Sequence, residues 1–298
     1  MKNTILVTGS ESFVASFLIK KLKKKYNVIG IDYKKKNINT KFAIDITKKI
    51  PKKLYKLKID YIIHLAAISR DNECAANPLK CFNTNVIGTL NLIDFANNKK
   101  IKNFIFASTQ WVYDYDKKNS IKYYNSVINA HSLDSEYALS KLVSEINLKQ
   151  NFKKRKLNTV ILRFGIIYGP RSNNLSAFEA IFYKLQEQDK IEIGSKRTGR
   201  NFIHVDDICD GITKAINKKG YNIFNLEGDK FISLENLIKE SEIILNKKIK
   251  IIEKNPKNPS IKIISNKFTK KKLKWKPKYS LKKSIINLMD YKNYITSN

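Results

Sequence analysis

Short apolar runs alternate with helical periodicity along the first half of the chain. Five runs have about the length of a buried strand, at residues 4–7, 28–31, 42–44, 61–65 and 104–106. Residues 13–22 and 78–98 instead carry apolar side chains at intervals of three and four, which indicates helices with one buried face. Strands that alternate with helices predict a parallel sheet covered by helices.

The second half of the chain has a less regular pattern. A strand is expected at residues 223–226, and helical stretches at 175–186, 234–245, 267–273 and 281–289. Ser233 is expected to cap the helix that follows it. The whole chain is therefore predicted to be of the α/β class.

The composition indicates a globular protein and excludes some partners. The 298 residues are 42% hydrophobic, and no apolar run approaches the ~20 residues that a membrane helix needs. The net charge is +32, but all except six of the 58 basic residues are lysine, and they are spread over the whole sequence. We interpret this as a compositional bias, and we expect no specific nucleic-acid partner and no membrane insertion.

The three cysteines, Cys74, Cys81 and Cys209, show no metal-ligand spacing and are odd in number. They are interpreted as reduced thiols of a cytoplasmic protein without a metal site.

The first strand leads into a candidate phosphate-binding turn. Gly9 follows the strand directly, while Ser12 and Ala15 stand where a dinucleotide fingerprint has its second and third glycines. Ser12 is therefore expected to weaken or reposition cofactor binding. Asp32 ends the second strand 23 residues after Gly9, close to the spacing of the acidic residue that binds an adenosine ribose.

Tyr137 and Lys141 are four residues apart on a predicted helix and so share one face. An ammonium group, together with a cationic nicotinamide ring, would lower the pKa of the phenol. Tyr137 could then accept a hydroxyl proton as a hydride leaves. The pair indicates redox chemistry at a carbinol.

Taken in order, these motifs resemble the extended short-chain dehydrogenase/reductases, specifically the NAD-dependent epimerase/dehydratase family that acts on nucleotide sugars. The resemblance spans nearly the whole chain. Its markers are Thr8-Gly9, Asp32, Asp45-Ile46, residues 60–67, Asn77-Pro78, residues 85–89, Ser108-Thr109, residues 137–141, residues 162–164, residues 168–170 and residues 200–207.

The resemblance implies a Rossmann-type doubly wound parallel sheet with a smaller C-terminal α/β substrate domain. Residues 1–165 would form the NAD-binding domain, to which a strand and a helix near 200–228 return, and residues 166–298 would mainly bind substrate. The implied partners are a nucleoside-diphosphate sugar and a second copy of the chain, because relatives usually dimerise through the helices of Pro78 and Tyr137. The implied setting is cytoplasmic nucleotide-sugar metabolism for cell-surface polysaccharide biosynthesis.

The same resemblance assigns roles to individual residues. The implied catalytic set is Thr109, Tyr137 and Lys141. The implied substrate contacts are Thr109, Trp111 and Arg200. The implied NAD contacts are Gly9, Ser12, Phe13, Val14, Asp32, Asp45, Ile46, Leu65, Ala66, Ala67, Asn85, Lys141 and Phe164.

The reaction class depends on the residues that follow Thr109. Dehydratases of the family carry Asp-Glu there, whereas this chain has Gln110-Trp111, which cannot shuttle a proton. Two reactions therefore remain, namely epimerisation at C4 of a nucleoside-diphosphate hexose and reduction of a 4-keto sugar. Asp32 favours NAD and the epimerase, with an NAD(P)H-dependent reductase as the alternative. Ser12 and Ile166 depart from the family pattern and leave a non-catalytic dinucleotide or nucleotide-sugar sensor as the third hypothesis.

Overall fold

A computed structural model describes residues 2–33, 39–113 and 120–296, with side chains up to residue 293. The strands of this part are β1 Thr4–Thr8, β2 Asn27–Asp32, β3 Phe42–Ala43, β4 Tyr61–His64, β5 Asn103–Thr109, β6 Ile121–Lys122, β7 Thr159–Phe164, β8 Ile167–Tyr168, β9 Lys190–Ile193, β10 Gly199–Arg200, β11 Ile203–His204, β12 Tyr221–Leu226, β13 Ile232–Ser233, β14 Lys250–Glu253 and β15 Ile263–Ile264. The α-helices are α1 Phe13–Leu22, α2 Lys52–Tyr55, α3 Asp71–Ala76, α4 Pro78–Phe82, α5 Gly88–Asn98, α6 Glu136–Arg155, α7 Ala177–Glu187, α8 Val205–Ala215, α9 Leu234–Leu245, α10 Lys267–Leu273 and α11 Leu281–Thr296.

Seven parallel strands form the central sheet in the order β12-β7-β5-β4-β1-β2-β3. This order confirms the predicted α/β class and Rossmann-type sheet. The strand order reverses between β1 and β4, and ligands of such sheets bind beyond the carboxyl ends of the strands at that point.

Two hydrophobic layers cover the sheet because its side chains alternate between faces. Ile5 and Val7 of β1 pack on one face with Leu18 of α1 and Ile208 of α8. Leu6 points to the opposite face, where it joins the cluster that includes side chains of α5 and α6. The continuous apolar runs of the sequence are explained by this burial on both faces.

The later helices α7, α9 and α11 pack around their own cluster, which includes Phe178, Leu237 and Ile285. Strand β12 returns to the main sheet beside β7, and α8 packs against α1. Ser233 caps α9 as predicted, since its hydroxyl accepts the N–H of Asn236 at 3.1 Å. The division into two domains at residue 165 stays a prediction.

The helix predicted over residues 78–98 is present, but it contains a π-helical segment, Asn83–Ile87, between α4 and α5. The Asn85 carbonyl accepts hydrogen bonds from the hydroxyls of Thr89, at 2.6 Å, and Ser144, at 2.8 Å. The widened turn thus exposes the Asn85 carbonyl to the two hydroxyl donors, and the bond from Ser144 fixes this segment against α6.

The prediction of three reduced thiols is wrong for two of them. Cys74 of α3 and Cys81 of α4 form a disulfide, with Cα atoms 5.0 Å apart, and Cys209 is a buried free thiol. The sequence count could not show that these two short helices bring their cysteines together. Within the part of the chain that the structure describes, no helix is long and apolar enough to cross a membrane.

Candidate active site

A groove of about 1280 Å³ lies at the carboxyl ends of β1, β2 and β4. Gly9 forms its floor with a φ of 67°, in the left-handed region that favours glycine. A Cβ on Gly9 would lie 2.7 Å from the backbone nitrogen of Ala66. Only glycine therefore fits where the turn after β1 passes the turn after β4. The backbone is therefore shaped for close approach by a dinucleotide.

The Asp32 carboxylate is held at the end of β2 and lines this groove. It accepts the N–H of Glu11 at 3.1 Å and the N–H of Tyr33 at 2.8 Å. These bonds fix the carboxylate where the sequence spacing predicts a ribose-binding acid.

Ser12 has a local role that its position in the fingerprint did not suggest. Its hydroxyl accepts the Ala15 N–H at 3.4 Å and so caps α1, while its side chain also faces the groove. The residue thus supplies a helix cap where a glycine would have none.

Most of the predicted cofactor contacts line the groove. These are Gly9, Ser12, Phe13, Asp32, Asp45, Ile46, Leu65, Ala66 and Ala67. Val14 packs instead against the core beneath α1, and Phe164 is buried at the end of β7. Asn85 lies behind Ile68, which forms part of the groove wall. The Asn85 side chain accepts the Ile68 N–H and donates to the Ile68 carbonyl, both at 2.9 Å.

His64, the last residue of β4, links the groove to this wall. Its Nδ1 lies 2.7 Å from Thr8 Oγ1 and its Nε2 lies 3.0 Å from Thr89 Oγ1. Because Thr89 donates its hydroxyl proton to the Asn85 carbonyl, Nε2 of His64 must be the donor to Thr89 Oγ1 and so carries a proton. Burial and the nearby Lys141 lower the pKa of His64 well below its usual value, which keeps the ring neutral.

The predicted catalytic residues are brought together beside the groove. Thr109 is the last residue of β5, and Tyr137 lies in the first turn of α6, whose N-cap is Ser135. The Tyr137 hydroxyl is hydrogen-bonded to Thr109. Lys141 lies one turn further along α6 and is buried, with Nζ 4.5 Å from the centre of the Phe106 ring.

Burial dominates the electrostatics of this set. It raises the pKa of Tyr137 to about 12, although the bond to Thr109 opposes the rise. Burial also lowers the pKa of Lys141 to about 7, against the attraction of Glu145. In the protein without cofactor, burial thus dominates the pKa of Tyr137, and the lowering of this pKa by Lys141 together with a nicotinamide ring stays a prediction.

A buried ion pair supports this helix, and the sequence analysis missed it. Glu145 follows Lys141 by one turn of α6 and accepts Arg163 Nη2 at 2.6 Å and Nε at 3.0 Å. Ser108, which precedes Thr109, donates to the same carboxylate at 2.5 Å. The pair thus ties α6 to β5 and β7 beneath the catalytic residues.

Trp111 and Arg200, the predicted substrate contacts, lie near each other. Arg200 Cζ is 5.9 Å from the Trp111 ring centre, and its guanidinium donates to the Ser260 carbonyl and hydroxyl at 2.5 and 2.8 Å. Lys262, which the sequence analysis did not single out, places Nζ 4.3 Å from the same ring centre. Burial, and then Arg200, lower the pKa of Lys262 to about 8. Two cations thus share one indole close to Thr109.

Comparison with known proteins agrees with this geometry. The profile of the NAD dependent epimerase/dehydratase family matches residues 5–226. A UDP-glucuronate 4-epimerase of Thermodesulfobacterium geofontis is 28% identical over 307 residues, covering 94% of this chain and 93% of that protein.

Two solved structures are similar over almost the entire length. The UDP-glucuronic acid 4-epimerase of Bacillus cereus, in complex with UDP-glucuronic acid and NAD, superposes with a TM-score of 0.84 at 25% identity, covering 98% of this chain and 99% of that one. The UDP-glucose 4-epimerase of Thermotoga maritima shares the fold, with a TM-score of 0.88 at 24% identity and coverage of 98% and 99%. The profile match, which spans the whole sheet and the site at its edge, establishes that this chain belongs to the NAD dependent epimerase/dehydratase family.

Proposed function

We propose that the protein is an NAD-dependent epimerase that inverts C4 of a nucleoside-diphosphate hexose by transient oxidation and re-reduction. The observation that carries this proposal is the cluster of Thr109, Tyr137 and Lys141 beside a groove of dinucleotide size. The named 4-epimerases among its relatives support the same reaction.

The groove residues fit NAD. Asp32 would bind the adenosine ribose, Asp45 and Ile46 would flank the adenine, and the turn from Gly9 to Val14 would receive the diphosphate. Asn85, Phe164 and Lys141 would support the nicotinamide half. When bound, NAD supplies the site that takes up a hydride and returns it within one turnover.

Tyr137 moves the proton at the C4 oxygen of the sugar, and Thr109 orients that oxygen by a hydrogen bond. Because burial favours the neutral phenol, Tyr137 needs nearby positive charge to accept this proton. Lys141, one turn away, supplies part of that charge when protonated.

The residues after Thr109 favour epimerisation over dehydration. Elimination of water needs an additional acid and base at the sugar. Gln110 is buried and Trp111 presents an indole, so neither side chain exchanges a proton there. Oxidation and re-reduction at one carbon need only Thr109, Tyr137, Lys141 and the cofactor.

The cations around Trp111 favour an acidic substrate. We place the diphosphate of a UDP-sugar near Arg200 and Lys262, with the hexose between Trp111 and Thr109. Residues 166–298 form most of this substrate-binding domain in our proposal. UDP-glucose and UDP-glucuronate are the first substrates to test, because they are named for the relatives.

We further propose a homodimer formed by α4, α5 and α6. These helices pack together and expose apolar side chains at Leu79, Leu90, Leu139 and Ile146. Burial of this surface in a second copy would remove it from water. The reaction would take place in the cytoplasm, and its product would serve as a glycosyl donor for cell-surface polysaccharide.

The proposal is tested by incubating the purified protein with NAD and either UDP-sugar and identifying the product by NMR. Formation of the C4 epimer without net consumption of NAD supports the epimerase. Oxidation of NADPH that depends on a 4-keto nucleotide sugar, with no epimer formed, would favour the reductase instead. Binding of NAD without either reaction would favour the sensor.

A further inference from the structure

The Cys74–Cys81 disulfide lies between the cofactor groove and the catalytic tyrosine. Helices α3 and α4 contribute Glu73 and Lys80 to the groove wall, and Asn77 between them contributes as well. On the opposite side, the two cysteines pack in one apolar cluster with Tyr137. The disulfide is therefore in a position to influence both the cofactor site and the catalytic helix.

Within a single copy of the chain, the two short helices have little else to hold them in place. Cys74 is the buried residue of α3, and Cys81 is the buried residue of α4. Every other side chain of these helices is exposed or half-buried. Segments with so few buried contacts open locally at low free-energy cost, so the covalent link carries much of their order.

Hydrogen bonds extend from the disulfide to the catalytic helix. Asn85 Nδ2 lies 3.5 Å from Cys81 Sγ and donates to Ser140 Oγ at 2.9 Å. Ser140 in turn donates to the Tyr137 carbonyl at 2.8 Å. A change in the position of Cys81 is thus transmitted to the turn of α6 that carries Tyr137.

We propose that the Cys74–Cys81 disulfide is a redox-sensitive site that orders the groove wall, and that its reduction by a dithiol weakens cofactor binding. The second half of this inference rests on the proposed function, because it takes NAD as the cofactor. In the cytoplasm, where most protein thiols are reduced, disulfides that do form are usually transient and redox-sensing.

Because Cys74 and Cys81 are fully buried, reduction requires local opening of α3 and α4 and then proceeds by two thiol–disulfide exchanges. A thiolate of a protein dithiol attacks one sulfur of the pair, the sulfur–sulfur bond breaks, and the departing cysteine thiolate takes up a proton. The second thiol of the reductant then attacks the mixed disulfide and releases the other cysteine. Two electrons and two protons pass to Cys74 and Cys81, and the reductant leaves as its own disulfide.

Thiol titration of the full-length protein tests the site itself. The oxidised protein, denatured without reductant, should show one reactive thiol, that of Cys209, and three after reduction. Three reactive thiols before reduction, after exposure to a disulfide oxidant such as oxidised glutathione, would overturn the proposal.

Hydrogen exchange and NAD titration test the consequence of reduction. The amides of residues 71–82 should exchange at least about tenfold faster in the reduced protein, and those of α5 should be unchanged. Reduction should raise the Kd for NAD roughly fivefold or more, and saturating NAD should shift the thiol–disulfide equilibrium toward the disulfide by the same factor, because the two effects are reciprocal. The Cys74→Ser/Cys81→Ser protein should match the reduced form, and the Cys209→Ala protein should keep the redox difference.

Equal amide exchange rates of residues 71–82 in the two redox states would overturn the proposal that the disulfide orders the groove wall. Equal NAD affinity of the two states would overturn the proposed effect on cofactor binding. If NAD binds neither redox form, the proposed function fails. The thiol count and the amide exchange rates still show whether Cys74 and Cys81 form a redox-sensitive disulfide that orders the groove wall.

Discussion

Replacing Glu227 with glutamine should stabilise the protein at neutral pH. Glu227 follows β12 and is fully buried, and neither of its carboxylate oxygens has a hydrogen-bond partner among the described residues. It occupies the space beside Gly165, where a Cβ would lie 2.0 Å from Glu227 Oε2. Burial raises the pKa of Glu227 well above its usual value, since nothing there compensates for the lost hydration of the charge.

The size of the effect follows from proton linkage. Between the unfolded pKa of 4.5 and the higher folded pKa, the folded protein binds more protons than the unfolded chain. The free energy of unfolding therefore falls as pH rises through this window, by about 1.4 kcal/mol per pH unit. Within this window the parent protein should lose up to about 1.4 kcal/mol per pH unit, or about 3 °C in Tm, relative to Glu227→Gln.

Urea unfolding of oxidised protein at pH 5.5 and 6.5 measures this difference, because other titrating groups cancel between parent and variant. The control is Glu192→Gln. Glu192 is exposed and pairs with Lys254 at 2.6 Å, so its replacement should change stability by less than about 0.5 kcal/mol at either pH. Parallel pH dependence in the parent and Glu227→Gln proteins would refute the reasoning.

Three further substitutions test other parts of the site. Burial lowers the pKa of Lys141 to about 7, so the unfolding free energy of the parent protein should rise by about 1.4 kcal/mol between pH 7.5 and 8.5. Urea titrations at the two pH values should show that Lys141→Met lacks this rise. Glu145→Gln leaves Arg163 buried without its carboxylate and should cost about 3–5 kcal/mol. The half-buried control Glu235→Gln, which pairs with Lys239 at the surface, should cost under about 0.5 kcal/mol, and similar losses would argue against the buried pair. Lys262→Met should raise KM for a UDP-sugar about tenfold with little change in kcat, and an unchanged KM would exclude a substrate contact.

Residues at strand ends could be predicted from the sequence because parallel strands bring their carboxyl ends to one edge. Gly9, Asp32, Ala66 and Thr109 each follow or end an apolar run, and the sheet order brings them to the same edge. The helical spacing of Tyr137 and Lys141 likewise determined that they share a face.

The features that were missed depend on contacts between segments far apart in the chain. Glu227 is buried because Gly165 leaves space beside it. Lys262 directly precedes β15, the strand that pairs with β6, and from there it contacts the Trp111 ring. The Cys74–Cys81 disulfide depends on the angle between two short helices. The sequence also gives no sign that burial raises the pKa of Tyr137 in the protein without cofactor, since desolvation acts only in the folded protein.

The central claim is that Tyr137 moves the proton at C4 while the groove holds NAD. The most direct measurement compares C4 epimerisation of a UDP-sugar by the parent and Tyr137→Phe proteins, with NAD affinity measured on both. Turnover should fall at least ~100-fold in Tyr137→Phe, because a positioned acid–base group contributes that much, while NAD still binds. Turnover by Tyr137→Phe equal to that of the parent would contradict the account.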